Sequence, residues 1–258
     1  MPLDATISPG GCAPSVWIAR PHRRPEPVEL DAALTSVGLT DPRPVLVVVG
    51  GAAHLSEAVA PALLTLFERI APQLDALGAA VIDGGTAFGV MALMGRARRC
   101  AGARFPLIGI APQGAVAIDS GKPDQPAGKD GKARLDPNHT HFMLVPGDAW
   151  GDESPWISAV ADRFARGRGS LMLVAAGGEI TRLDVMHRLR SGGRVLVLAG
   201  SGGTADRLVD RRRNGAAGLD TGPADLDAEA PERALIHILD LADAGDHLPG
   251  ILARALAP

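Results

Sequence analysis

Short runs of valine, isoleucine and leucine recur along this chain, and most of them stop at glycine. The runs are VLVVV (45–49), AAVID (79–83), PLIGI (106–110), FMLV (142–145), SLMLVA (170–175) and RVLVLA (194–199). Nearly unbroken apolar runs of this length suit strands that are covered on both faces. The segments between them carry a helical period instead. Leu55, Val59, Leu63, Leu66, Phe67, Ile70, Leu74 and Leu77 keep to one face, with Pro61 and Pro72 expected to break or kink the path and Gly78 to end it. In SPWISAVADRF, Ser154 and Pro155 form a cap and first-turn pair ahead of a stripe of Trp156, Val160 and Phe164. Strand and helix in alternation specify an α/β fold: a Rossmann-like, doubly wound, mainly parallel sheet of about six strands flanked by helices.

The ends of the chain read differently. Prolines and glycines crowd residues 1–44, a loosely structured lead-in with one short strand expected at SVWIAR. Residues 45–210 form the ligand-binding domain of this reading, interrupted at 113–138 by a long surface excursion that is either functional or simply exposed. Residues 211–258 give a linker and then PERALIHILDLADA and LPGILARALA, expected as helices packing on the same domain. Their leucine faces would cover an end of the sheet or a second subunit, which leaves a homo-oligomer open.

Charge and cysteine usage exclude several partners. A net charge of -3 gives no electrostatic footprint for nucleic acid or an anionic membrane. Cys12 and Cys100 form no CxxC pair, so neither a disulfide framework nor a thiolate zinc site is suggested. No run approaches the roughly 18 apolar residues of a membrane span, and the expected location is the cytoplasm.

Glycine carries the chemical signal. Four runs pass through glycine turns into helical segments: VVGGAAHLSE (48–57), VIDGGTAFGVM (81–91), VAAGGEITRLD (174–184) and VLAGSGGTAD (197–206). In a doubly wound sheet such turns share the carboxyl edge, where ligands bind. Glycine accepts positive φ and has no Cβ to hold a ligand off the backbone. Amides at a helix start, aided by the helix dipole, can hold a phosphate without lysine or arginine. No lysine follows the glycines, which argues against an ATP-hydrolysing P-loop, and the incomplete GxGxxG spacing argues against an NAD dehydrogenase.

The stretches PVLVVVGGA, VIDGGTAFGVM, FPLIGIAP, NHTHFMLVPGDAWGDESPW, GGEIT and VLVLAGSGGTAD, in that order, resemble the prokaryotic LSDAT branch of the SLOG superfamily. That superfamily unites lonely-guy nucleotide hydrolases, DNA-processing Smf proteins and the amino-terminal sensor regions of melastatin-type TRP channels. The resemblance runs from about Val16 to Asp210, and it implies a Rossmann-like domain for a nucleotide-derived molecule, ADP-ribose-like or NAD-related. In the hydrolases the phosphate turn reads PGGxGTxxE, and its glutamate serves base cleavage. Here Arg207 stands at that glutamate's position, Asp206 lies one residue early, and DGGTAFGVM has one residue more between the glycine pair and the next glycine than the hydrolases' GGGxxGLMG. A one-residue shift turns a helical side chain by about 100 degrees. The resemblance therefore implies binding without turnover, as in a sensor. The alternative is an N-glycosidic hydrolase resembling the lonely-guy phosphoribohydrolases, with Asp206, Glu179 or Asp83 as the acid.

The expected ligand contacts are Gly50, Gly51, Asp83, Gly84, Gly85, Thr86, Gly177, Gly178, Glu179, Gly200, Ser201, Gly202, Gly203, Thr204 and Asp206. Glu179 at a helix start suits the dipole and the hydroxyls of a ribose, and Asp83 ends its strand at the expected edge. His141 and Trp150 join the set, the first for its place beside a strand and the second to stack on a base. His139 and His141 with Asp148, Asp152 and Glu153 offer a metal reading, against which the same residues would order a loop and cap the Ser154 helix. No catalytic group, metal ligand or firm cofactor is assigned. The serines lie outside any GxSxG elbow, Cys100 lacks an evident partner, and Arg211 to Arg213 read as a solvated helix end.

Overall fold

All of the apolar runs become strands of one parallel sheet in the computed structural model, which describes residues 17–21, 25–51, 55–117, 131–214 and 235–257. In chain order the strands are β1 (Trp17–Ala19), β2 (Val45–Gly50), β3 (Ala80–Asp83), β4 (Leu107–Pro112), β5 (Val116–Ala117), β6 (Ala133–Arg134), β7 (His141–Val145), β8 (Ser170–Ala175), β9 (Arg194–Ala199) and β10 (Ile236–Asp240). The helices are α1 (Pro27–Ser36), α2 (Val59–Ala76), α3 (Gly89–Cys100), α4 (Ser154–Ala165), α5 (Glu179–Arg190), α6 (Gly203–Asn214) and α7 (Ala244–Ala255). The main sheet has the order β1-β7-β4-β3-β2-β8-β9-β10, with every neighbouring pair parallel, and β5 pairs with β6 apart from it.

Side chains alternate between two apolar layers, as strands buried on both faces require. Val45, Val47 and Val49 of β2 join the layer made with α1, α4, α5 and α6, whereas Leu46 and Val48 join the layer under α2, α3 and α7. Phe67, Leu63, Ile70 and Leu74 of α2 are fully buried in the second layer. Pro72 lies inside α2, which continues through it to Ala76, so neither proline of that segment ends the helix.

Two sequence expectations are corrected. The sheet has eight strands, not about six: the short strand expected at SVWIAR joins it as β1 beside β7, and β10 is added beside β9. PERALIHILDLADA is not a helix where it is described: Ile236–Asp240 pairs residue for residue with Val195–Ala199. A short apolar run fits either period, and the unpaired edge of β9 decides between them by offering a row of backbone partners. The lead-in is more ordered than expected, because Leu30, Ala33 and Leu34 form the buried stripe of α1. Residues 1–16, 118–130 and 215–234, with most of the expected excursion and linker, lie outside the described residues. No described helix is long and apolar enough to cross a membrane.

Candidate functional site

From β2 the chain winds outward through β3, β4 and β7, and it then returns to the other side of β2 with β8 and β9. Strand order therefore reverses between β2 and β8, the place in such sheets where a crevice opens beyond the strand ends. The four glycine turns follow β3, β2, β8 and β9, which are adjacent in the sheet. A cavity of about 670 Å³ lies there, lined by Gly50, Gly51, Gly177, Gly178, Glu179, Gly200, Ser201, Gly202, Gly203 and Asp206.

Tight backbone packing holds the crevice open. Ala176 adopts φ 55°, rare for a residue with a Cβ, and is fixed there by Ser201 Oγ accepting its N–H at 2.8 Å and by Ala205 N–H donating to its carbonyl at 3.0 Å. Gly203 at φ 56° sits where any Cβ would lie 2.2 Å from Gly177 O, so the turns after β8 and β9 can abut only with glycine at 203.

Three of the five amides in the turn from Gly200 to Thr204 are engaged within the protein. Asp206 reaches back to it: Oδ1 accepts from Gly200 N–H at 2.7 Å and Oδ2 from Gly202 N–H at 3.0 Å. Thr204 N–H donates to Gly177 O at 2.9 Å and its hydroxyl to Gly178 O at 2.7 Å. Thr204 thus braces the neighbouring turn and does not line the cavity, and the nearest side-chain anion already holds two amides of its own turn. The amides of Ser201 and Gly203 find no acceptor among the described residues, and further open donors lie one strand away. Gly178 precedes α5 without a side-chain cap, and the amides of Glu179, Ile180 and Thr181 find no acceptor among the described residues. Both Ile180 and Thr181 line the large cavity. Glu179 is exposed and paired with Arg182, a hydrogen bond that holds its carboxyl below the usual range.

A second cavity of about 420 Å³ adjoins the first through Gly50, Ile180 and Thr181. Gly84 and Thr86 line it, as does Trp150, which is 43% exposed at its rim. Its walls are largely apolar, formed by Val48, Phe88, Met91, Ile157 and Ile180, yet Glu153 and Asp184 also line it at 4% and 5% exposure. Burial pushes the Asp184 carboxyl up to about 7; the nearby Ser154 hydroxyl opposes the shift and the charge of Glu153 adds to it. No well-aligned hydrogen bond reaches Asp184 Oδ1 or Ser154 Oγ. Glu153 is likewise raised by burial, against its own backbone amide and that of Gly151, which donates to Oε2 at 2.7 Å. Sequence reasoning missed Asp184 as a site residue. Its signal was an α5 whose buried face mixes Thr181, Asp184 and Arg188 with Val185 and Leu189.

Three expected contacts lie elsewhere. Asp83 is fully buried beneath the edge, where its Oδ1 accepts from Gly85 N–H at 2.7 Å and lies 2.8 Å from His139 Nε2. His139 Nδ1 in turn lies 2.8 Å from Asp136 Oδ2, and the ring stacks on Phe142. Gly85 packs on Gly109 and Phe142 and lines neither cavity. His141 begins β7, at the amino end of the sheet beside Arg98, so the expectation that it reaches the glycine edge is corrected. Burial, aided by the Arg98 charge, pushes its imidazole down to about 4. Asp152 Oδ2 accepts from the amides of Asp148 and Ala149, ordering the loop before α4. Among the described residues no group of three or more His, Cys, Asp or Glu side chains is arranged to hold a metal.

Comparison with known proteins places this edge in context. A family model described as SLOG in TRPM, prokaryote, matches residues 43–248. No curated protein matches the chain. Among solved structures the chain is similar to TM1055, a structural genomics target, at 19% identity and TM-score 0.51, covering 80% of this chain and 98% of that one. It is also similar to the molybdenum cofactor binding protein from the phototrophic bacterium Rippkaea orientalis, at 13% identity and TM-score 0.51, over 81% and 98% of the two chains. The molybdenum cofactor carrier protein from Chlamydomonas reinhardtii matches at 18% identity and TM-score 0.49, over 82% and 99%. At these identities the likeness is one of Rossmann-like fold.

Proposed function

Because the chain belongs to the family described as SLOG in TRPM, prokaryote, we propose that it binds a phosphate-bearing, nucleotide-derived small molecule at its glycine-lined edge and releases it unchanged. The observation that carries this reading is the uncapped first turn of α5, whose amides border a cavity walled by three glycine turns at the switch point of the sheet. Unpaired amides and the positive end of a helix dipole favour an anion without a basic side chain. ADP-ribose-like and NAD-related molecules are the leading ligands, and the role is that of a sensor. Asp206 supports binding over turnover, since its carboxylate is engaged by the amides of Gly200 and Gly202.

Titration calorimetry of the full chain with ADP-ribose, NAD, cyclic ADP-ribose, AMP and the molybdenum cofactor tests the proposal. Saturable heat with a nucleotide derivative is expected. Absence of heat with every one of them would overturn the reading, and heat with the cofactor alone would move the ligand class from nucleotides to that molecule.

One observation favours the competing reading, N-glycosidic cleavage. A carboxyl that keeps its proton to about pH 7, Asp184, lines the adjoining cavity, and a leaving base needs such an acid. Free base accumulating from AMP or ADP-ribose, and ceasing with Asp184→Asn, would select cleavage. An unchanged nucleotide after prolonged incubation supports binding alone.

A further inference from the structure

The two cavities at the edge differ in chemistry. The larger offers backbone amides and glycine, whereas the smaller has apolar walls and two buried carboxyls. They meet at Gly50, Ile180 and Thr181, so one elongated molecule can reach both. We propose that the smaller cavity is a subsite for a flat, amino-bearing heterocycle, as in an adenine or guanine nucleotide, with Asp184 and Glu153 meeting its hydrogen-bonding edge. This inference rests on the reading of the α5 amides as a phosphate site.

The buried carboxyl of Asp184 carries the argument. Its Oδ1 is buried beside the Ser154 hydroxyl, and neither atom makes a well-aligned hydrogen bond. A buried acceptor left unpaired is costly, and native proteins keep such groups where a donor arrives from outside. Val48, Met91, Phe88 and Ile157 wall the same space, which suits the face of an aromatic ring and not a chain of hydroxyls. Trp150 stands half-exposed at the rim, where it can close over such a ring. Burial raises both carboxyls, Asp184 to about 7. An adenine edge, with its amino group beside a ring nitrogen, asks for one acceptor and one donor, and a guanine edge, with its amino group beside a ring N–H, asks for two acceptors.

Calorimetric titration of the full chain with AMP, GMP, ribose 5-phosphate and purine riboside 5′-monophosphate, which lacks the amino group, tests this subsite. AMP or GMP is expected to bind at least ten-fold more tightly than the other two. Asp184→Leu should bring the amino-purine nucleotide down to the affinity of ribose 5-phosphate while leaving ribose 5-phosphate itself unchanged. Its melting temperature should not fall, because the substitution removes a buried carboxyl that lacks a well-aligned partner, and Glu153→Gln provides a second variant if it does. Equal binding of ribose 5-phosphate and both nucleotides would overturn the subsite and leave the phosphate site standing. Failure of all four ligands would overturn both, and an equal loss of ribose 5-phosphate affinity in Asp184→Leu would overturn the subsite alone.

Discussion

Asp206 has a role that its place in the sequence did not disclose. As the first-turn acid of α6 it could have faced a ligand, yet it folds back onto the amides of Gly200 and Gly202. Asp206→Ala should therefore open those amides and remove a negative charge from the cavity wall. Affinity for ADP-ribose is expected to rise several-fold in calorimetry, while stability falls by about 1 kcal/mol, the usual worth of such a cap. Weakened binding would instead make Asp206 a ligand contact. His139 poses the opposite case, a charge needed for the fold. Burial by itself pushes its imidazole down, but the charge of Asp83 and hydrogen bonds with Asp136 and Asp83 carry it up to about 9. A folded value above the ordinary 6.5 means that the protonated ring stabilises the native state. That contribution is complete below about pH 6.5 and is lost as pH rises through about 9. Denaturant titrations across this range should show stability falling on the alkaline side. His139→Leu should abolish the slope and cost about 3–5 kcal/mol, because it strands two buried carboxylates.

At the scale of elements, the site depends on how closely the turns after β8 and β9 approach. Ala176 and Gly177 accept the amides of Ala205 and Thr204, so the start of α6 is tied to the chain entering α5. Gly203→Ala inserts a Cβ 2.2 Å from Gly177 O and forces positive φ on alanine. It should cost about 1–3 kcal/mol and displace the start of α5. Loss of nucleotide affinity alongside a lowered denaturation midpoint is the expected result; wild-type affinity would mean that the α5 amides are not held by this contact. Helix α5 itself is unusual in burying polar groups. Arg188 is almost wholly buried and reaches Asp162 and the Ser170 hydroxyl, and Asp184 lies on the same buried face of the helix.

Across the whole molecule, the doubly wound order brings four separate glycine turns to one edge. The alternating periods and the glycine turns were legible in the sequence, because both follow from local backbone and burial preferences of consecutive residues. β10 was not legible, since its strand state depends on the vacant edge of β9, and a five-residue apolar run carries either period. Nor was the misplacement of His141. A residue before a strand gives no sign of which end of a parallel sheet it will occupy until its neighbours are known, and pairing with Ile108 puts it at the amino end. The chain alone thus determined a layered α/β sheet with glycine bends, because periodicity and Cβ absence are properties of adjacent residues. Only the tertiary structure decided which amides stay unpaired and which carboxyls lose water, because those outcomes depend on residues far apart in sequence meeting at one crevice.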